Sequence, residues 1–291
     1  MISCFTRRSR CSIILLAGIT LTTGCHHAVK KNPDEGVPAP ALYQKSHALM
    51  ESGNWNEAAT HFRRLVAQYP YGPITEQSIL EQAYALYKDQ KYDEALVVID
   101  RFLRTYPTQA NTPYMYYLRG LVNSNRETVF LRRVWSLDPS RRDLTNPHQA
   151  YNDFGIVVAR YPQSRYANDA QLRMTRLRNL FAQHGLDIGL YYLRRGAYVS
   201  AAGRAITVLQ TYPQSAFEAD AVALLADAYT HLGNQAMAEQ TRHRLEAIDP
   251  QHPWLRGKWP KYPWPIHQLN PFRGEKSPST GDKNARVQPV H

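Results

Sequence analysis

The sequence predicts an all-α chain: a right-handed solenoid of five helical hairpins, set between a short N-terminal tether and an irregular C-terminal tail. Three observations point there. A motif recurs at fixed offsets: Trp55, Ala58 and Pro70; Tyr92, Ala95 and Pro107; Pro147, Ala150 and Pro162; Tyr198, Ala201 and Pro213; Gln235, Ala238 and Pro250. Apolar residues within a copy return every third and fourth position, the period of a helix with one buried face. Each copy closes on a proline, which cannot continue a helix. In four copies a tyrosine precedes it: Tyr69, Tyr106, Tyr161 and Tyr212.

The second copy shows how one unit is built. Leu80, Ala83, Tyr84 and Tyr87 form one apolar stripe, the polar turn Lys88 to Lys91 ends that helix, and a second helix carries Tyr92, Ala95, Leu96, Ile99, Phe102 and Leu103. Small Ala95 lets the two helices approach closely. Gly53, Gly196 and Gly233 stand two residues before their copies, where a helix would turn. One hairpin cannot bury both faces, so neighbours must stack. The spacing of about 37 residues resembles the tetratricopeptide repeat, with a turn some three residues longer than its usual 34-residue unit. Insertions enlarge the third and fourth units. The first, Asn123 to Asn146, holds the basic and aromatic run Phe130 to Trp135. In the second, Ala167 to about Arg195 reads as one long helix or a kinked pair, with Gly185 and Gly189 as weak points.

Residues 1–24 have the architecture of an export signal. Arg7, Arg8 and Arg10 precede an apolar stretch from Ser12 to about Leu21, too short to span a bilayer. Small residues then lead to Cys25, an arrangement that resembles a bacterial lipobox, although Thr22 stands where leucine is usual. Cys25 is therefore the expected lipid attachment site. His26 in place of aspartate favours the outer membrane, on its periplasmic face. Cys4 and Cys11 would leave with the signal, so no free thiol or disulfide remains, as suits an oxidising compartment. Residues 25–40 form the lipid-anchored tether, 41–250 the repeats, and 251–291 a basic, partly disordered tail rich in proline and tryptophan. That tail could touch headgroups or fold back as a cap on the last repeat.

The net charge of +11 would suit nucleic acid, but an exported chain does not meet it, which leaves acidic partners or lipid headgroups. No phosphate loop, His-Glu-x-x-His pair or Gly-x-Ser-x-Gly elbow occurs. The histidines are scattered, with His243 four residues from Glu239 as a common helix-surface pair. No enzyme, cofactor or metal site is expected. Arg132-Arg133 and Arg141-Arg142 suit either solvent or an acidic partner.

Several stretches narrow the field further: Tyr69-Pro70-Tyr71-Gly72-Pro73, Ile99 to Arg104 running into Tyr106-Pro107-Thr108, Tyr116 to Leu121, Arg142-Asp143, and Tyr191-Tyr192 to Arg195-Gly196-Ala197. In combination, over about Leu42 to Pro250, they resemble the BamD (ComL) family of β-barrel assembly lipoproteins. The resemblance implies a scaffold and receptor in the outer-membrane β-barrel assembly machinery. Its C-terminal repeats would hold the barrel-forming subunit, with accessory lipoproteins as further partners. Its N-terminal repeats would receive the aromatic-ended signal strand of unfolded outer-membrane proteins in a groove of tyrosines and arginines. Tyr69 matches the family position for substrate contact, although the recurring Tyr-Pro pair also suits packing between repeats. Arg204 matches an arginine that pairs with the barrel-forming subunit, and Arg195 is a second candidate on that surface. A pilotin-type tetratricopeptide lipoprotein for secretin assembly is the alternative, disfavoured by the Tyr-Pro-Tyr-Gly-Pro and Ile-Asp-Arg-Phe stretches.

Overall fold

The computed structural model describes residue 34, residues 36–126 and residues 143–259. The chain divides into two units, Met1–Pro38 and Ala39–His291. In the first, the described residues form a turn in which Val37 N–H donates to the Asp34 carbonyl (3.3 Å). The second is all-helical among its described residues. It runs α1 (Ala39–Glu51), α2 (Trp55–Gln68), α3 (Pro73–Lys88), α4 (Tyr92–Thr105), α5 (Thr112–Asn125), α6 (Thr145–Arg160), α7 (Ala167–Arg194), α8 (Tyr198–Thr211), α9 (Glu218–His231) and α10 (Gln235–Ile248). A short 3₁₀ turn, Pro253–Arg256, follows. Helices adjacent in sequence pack on one another, giving five stacked hairpins.

The sequence motif marks real helix ends. α2, α4, α6, α8 and α10 stop at the same repeat position, on Tyr69, Tyr106, Tyr161, Tyr212 and Asp249. Each of these donates its N–H back to the helix, from Tyr69 to Leu65 (2.8 Å) through Asp249 to Leu245 (2.8 Å). The proline that follows has no N–H to continue the ladder. Two turns are pinned further: Thr75 Oγ1 donates to the Tyr69 carbonyl (2.6 Å), and Thr112 Oγ1 to that of Tyr106 (3.0 Å). Within hairpins the reversal uses a left-handed residue, at φ +81° in Gly53, +73° in Gly196 and +76° in Gly233. Gln90 occupies the same place in the second hairpin at φ 63°, a conformation that costs a residue with a Cβ.

The repeat alanines explain how closely the helices approach. Ala58, Ala95, Ala150 and Ala201 are fully buried, each within a hairpin. Ala238 is only half-buried, since no sixth hairpin covers α10 among the described residues. Part of that role falls to the start of the tail, which begins to pack where the sequence suggested an irregular segment. Trp254, Leu255 and Trp259 sit on the core formed by α7, α8, α9 and Leu245. Buried His252 holds them in place, its Nε2 lying 3.0 Å from Asp220 Oδ1.

α7 is one continuous helix of 28 residues, about 42 Å long. Gly185 and Gly189 do not break it. A Cβ at Gly185 would lie 2.5 Å from Val208 Cγ2, and one at Gly189 would lie 2.4 Å from Leu224 Cδ2. These glycines are crossing points, where α8 and α9 come close. The length of α7 also offsets the two ends of the stack. Midway along it, Phe181 stacks on His148 at the start of α6 (3.9 Å) and packs on Tyr212 at the end of α8 (5.8 Å). The end of α8 therefore lies level with the beginning of α6.

Candidate docking surfaces

Tyr69 caps α2 and is half-buried; its hydroxyl accepts from Gln68 Nε2 (3.4 Å). Two residues on, Tyr71 is 87% exposed. Its backbone is anchored, since Thr75 Oγ1 also reaches the Tyr71 carbonyl (3.2 Å). The turn thus holds one ring against the protein and presents the other to solvent. Sequence reasoning singled out Tyr69 and passed over Tyr71. A signal was available, because the residue after the proline is Tyr71, Thr108, Gln163, Gln214 and Gln251 in the five units. Only the first is aromatic.

Two of the stretches that carried the family resemblance, Ile99 to Arg104 and Tyr116 to Leu121, meet between the second and third hairpins. Arg119 on α5 donates from Nη1 to Asp100 Oδ1 on α4 (2.8 Å), and from Nε and Nη2 to Asp153 Oδ1 on α6 (2.8 and 2.6 Å). Asn123 Nδ2 donates to Asp153 Oδ2 (3.0 Å). Burial pushes the Asp153 carboxyl up, while the hydrogen bonds from Arg119 and Asn123 pull it back. One guanidinium so ties three helices together. Asp153 escaped sequence reasoning, although a carboxylate at an inward repeat position was the clue.

Two further clamps join successive first helices. Glu81 on α3 is 8% exposed. Its Oε1 accepts from Tyr43 (2.5 Å) and Gln77 (2.8 Å), and its Oε2 lies 2.9 Å from His47 Nδ1. The hydrogen bond to Glu81 raises the His47 pKa above its ordinary value, and burial together with Glu81 raises the Tyr43 phenol. On α7, Asp169 accepts from the Tyr117 hydroxyl (2.5 Å) and from Arg173 Nε. Those bonds hold its carboxyl below the usual range, the one from Tyr117 first. Tyr114, Tyr117 and Tyr166 pack beside it, with ring centroids 5.1–5.4 Å apart.

Arg204 lies on α8 at the repeat position occupied by Val98, Asp153 and Thr241 in three other units. All three of those are buried, whereas Arg204 is exposed. Its stem packs at a helix crossing, with Cβ 3.4 Å from where a Gly189 Cβ would stand. Its guanidinium has no ion pair or hydrogen bond among the described residues. Around it the outer face of α8 carries Val199, 72% exposed, and Gly203 in open space. Arg195 caps α7 and is also exposed, its guanidinium 5.4 Å from the ring of Tyr191, itself 43% exposed. An aromatic ring, a forked cation and an uncharged helix face can grip a partner's carboxylate beside apolar contact.

Cys25, the run Phe130 to Trp135, both arginine pairs, and the tail beyond Trp259 lie outside the described residues. Among the described residues no group of three or more histidine, cysteine or carboxylate side chains could hold a metal, and no helix is long and apolar enough to cross a membrane. His243 pairs with Glu239 (3.3 Å) on the surface of α10.

Stacked hairpins whose inner polar groups bind one another, with exposed arginines and rings on separate outer surfaces, define a helical-repeat protein of the tetratricopeptide type. The outer membrane lipoprotein family YfiO matches residues 35–245, and the chain belongs to it. The chain is 62% identical over 274 residues to the outer membrane protein assembly factor BamD of Xylella fastidiosa, covering 94% of each. It is 37% identical over 218 residues to that of Neisseria meningitidis serogroup B, covering 75% of this chain and 82% of the relative. Among solved structures, a tetratricopeptide repeat protein from Parabacteroides merdae aligns at TM-score 0.33 and 15% identity, over 73% of this chain and 67% of that one.

Proposed function

We propose that this chain is a non-catalytic subunit of the outer-membrane β-barrel assembly machinery, anchored by lipid at Cys25 after removal of residues 1–24. Its C-terminal hairpins hold the barrel-forming subunit through Arg204, with Arg195 beside it. The turn carrying Tyr69 receives the aromatic-ended strand of unfolded outer-membrane proteins. The observation that carries this reading is Arg204, an exposed guanidinium without a partner among the described residues, at a repeat position that is buried in three of the other four units. Names borne by relatives support it, since they are assembly factors.

Arg204→Glu is expected to abolish co-purification with the barrel-forming subunit from detergent-solubilised outer membranes, and Arg204→Lys to weaken it, because lysine keeps the charge but loses the fork. A carboxylate-to-arginine change on the partner should restore assembly. The coupling should be about 1.5–3 kcal/mol, as for a charged hydrogen bond. Normal co-purification of a folded Arg204→Glu chain would move the interface elsewhere.

A further inference from the structure

Successive helices of the stack run antiparallel, so the starts of α1, α3, α5 and α7 share one edge with the ends of α2, α4 and α6. Tyr71 projects from this edge, 87% exposed. The same edge is basic. Arg63 on α2, Arg101 and Arg104 on α4, and Arg160 on α6 fall in the last two turns of their helices, all exposed, and none has an ion pair among the described residues. Arg165, in the turn to α7, is exposed too and lies against the ring of Tyr166. At the opposite edge Glu51, Glu57, Asp93, Glu94 and Asp143 are exposed and outnumber the exposed cations Lys88 and Arg126, the latter paired with Asp93.

Helix dipoles favour cations at C-terminal ends, but they do not account for this distribution. The last two turns of α8 carry no charge at all. In α10, Arg242 is paired with Glu246 and Arg244 with Glu218. In the last two turns of the hairpins' second helices, arginines without an ion pair among the described residues therefore belong to the first three hairpins. The length of α7 lifts the end of α8 to the level of the start of α6, so the last two hairpins do not continue this edge.

We propose that the basic edge of the first three hairpins rests on an anionic lipid surface, with Tyr71 at the depth of the headgroups. Three features select lipid over an acidic protein. The charge is spread along a row of helix ends rather than gathered in one pocket, which suits a plane of phosphates. The aromatic at its tip is a tyrosine, a residue that favours the membrane–water boundary. α1, the helix nearest Cys25 in the sequence, begins on this same edge. Basic residues near an anionic leaflet each strengthen binding by roughly fivefold and lose that effect with salt. The inference rests in part on lipid attachment at Cys25.

The test uses the lipidated chain with Thr108→Cys, a site on this edge, labelled with an environment-sensitive fluorophore; Glu57→Cys, on the opposite edge, is the control. Both are mixed with vesicles of phosphatidylcholine alone or with phosphatidylglycerol, and recovery and emission are read together. Flotation with phosphatidylcholine vesicles reports the lipid anchor. A blue shift at position 108 only when phosphatidylglycerol is present, reversed by salt, reports the edge. In the Arg101→Glu, Arg104→Glu, Arg160→Glu variant the concentration of phosphatidylglycerol needed should rise on the order of a hundredfold. The salt reversal in the parent chain stands independently if that variant fails to fold. Flotation only with phosphatidylglycerol would remove the anchor and leave the edge standing. Equal emission at positions 108 and 57 in phosphatidylglycerol, or a shift at 108 produced by polyglutamate and not by vesicles, would overturn the proposal.

Discussion

The first three hairpins and the last two are built from one repeat but held together differently. Around α1–α6 the core is aromatic, with Phe62, Phe102 and Phe154 fully buried. Polar clamps cross it at Glu81, at Arg119 with Asp153, and at Asp169. Around the end of α7 and α8–α10 the core is small and aliphatic: Ala201, Ala202, Ala205, Ala223 and Ala228 pack with Leu186 and Leu224. The crossings of α7 with α8 and α9 are made closely at Gly185 and Gly189. A polar clamp fixes orientation by geometry, and an alanine interface fixes it by proximity. The first arrangement spends its charges inside, whereas the second leaves α8 with one charged side chain, Arg204, facing out.

The largest expected effect tests the polar half. Arg119→Ala leaves Asp153, 4% exposed, with only Asn123 as partner, and should cost about 3 kcal/mol in urea unfolding. The double change Arg119→Leu with Asp153→Leu should recover much of that, because no buried charge is then left alone. If the single and double variants lose equally, the clamp is packing rather than charge. In the alanine half the sensitive positions are the crossings. Gly189→Ala should destabilise by about 2 kcal/mol through overlap with Leu224. Gly203→Ala, with open space around it, should stabilise by about 0.5–1 kcal/mol. Equal effects at the two glycines would break the contrast between crossing and outer face.

Two smaller effects sharpen it. Gln90→Gly, which relieves a left-handed residue with a Cβ, should raise stability by about 1 kcal/mol. The docking of α1 should depend on pH through His47. Its hydrogen bond with Glu81 raises the folded pKa above the unfolded value of about 6.5. That stabilisation is therefore complete below about pH 6.5 and lost as pH rises through the raised value. Amide exchange in α1, corrected for intrinsic rate, should accelerate over that range and stop doing so in His47→Gln.

The repeat was legible because its signals are local. An alanine where helices touch and a proline where one ends constrain the backbone wherever they occur, and all five copies placed their helices correctly. The offset between the halves was not legible. Gly185 and Gly189 read as weak points, since a helical glycine seen alone signals flexibility, and only the distances to Val208 and Leu224 show close crossing instead. The clamps were hidden for a related reason. Asp100 and Arg119 stood in quoted motifs, but their partner Asp153 lies 34 residues from Arg119, and no periodicity links them. At the candidate surfaces, Arg204 came from the family resemblance, whereas its exposure at a position buried in three other units emerged only from comparing the units. The tail divided in the same way: Trp254 and Trp259 pack, as an uncapped apolar end requires.

The division of labour between the halves is tested most directly by hydrogen–deuterium exchange of the whole chain with and without the periplasmic domains of the barrel-forming subunit. The account expects slower exchange at the end of α7 and along α8, around Arg195 and Arg204, with α1–α4 unchanged. Protection confined to α1–α4, with α8 exchanging as in the free chain, would contradict it.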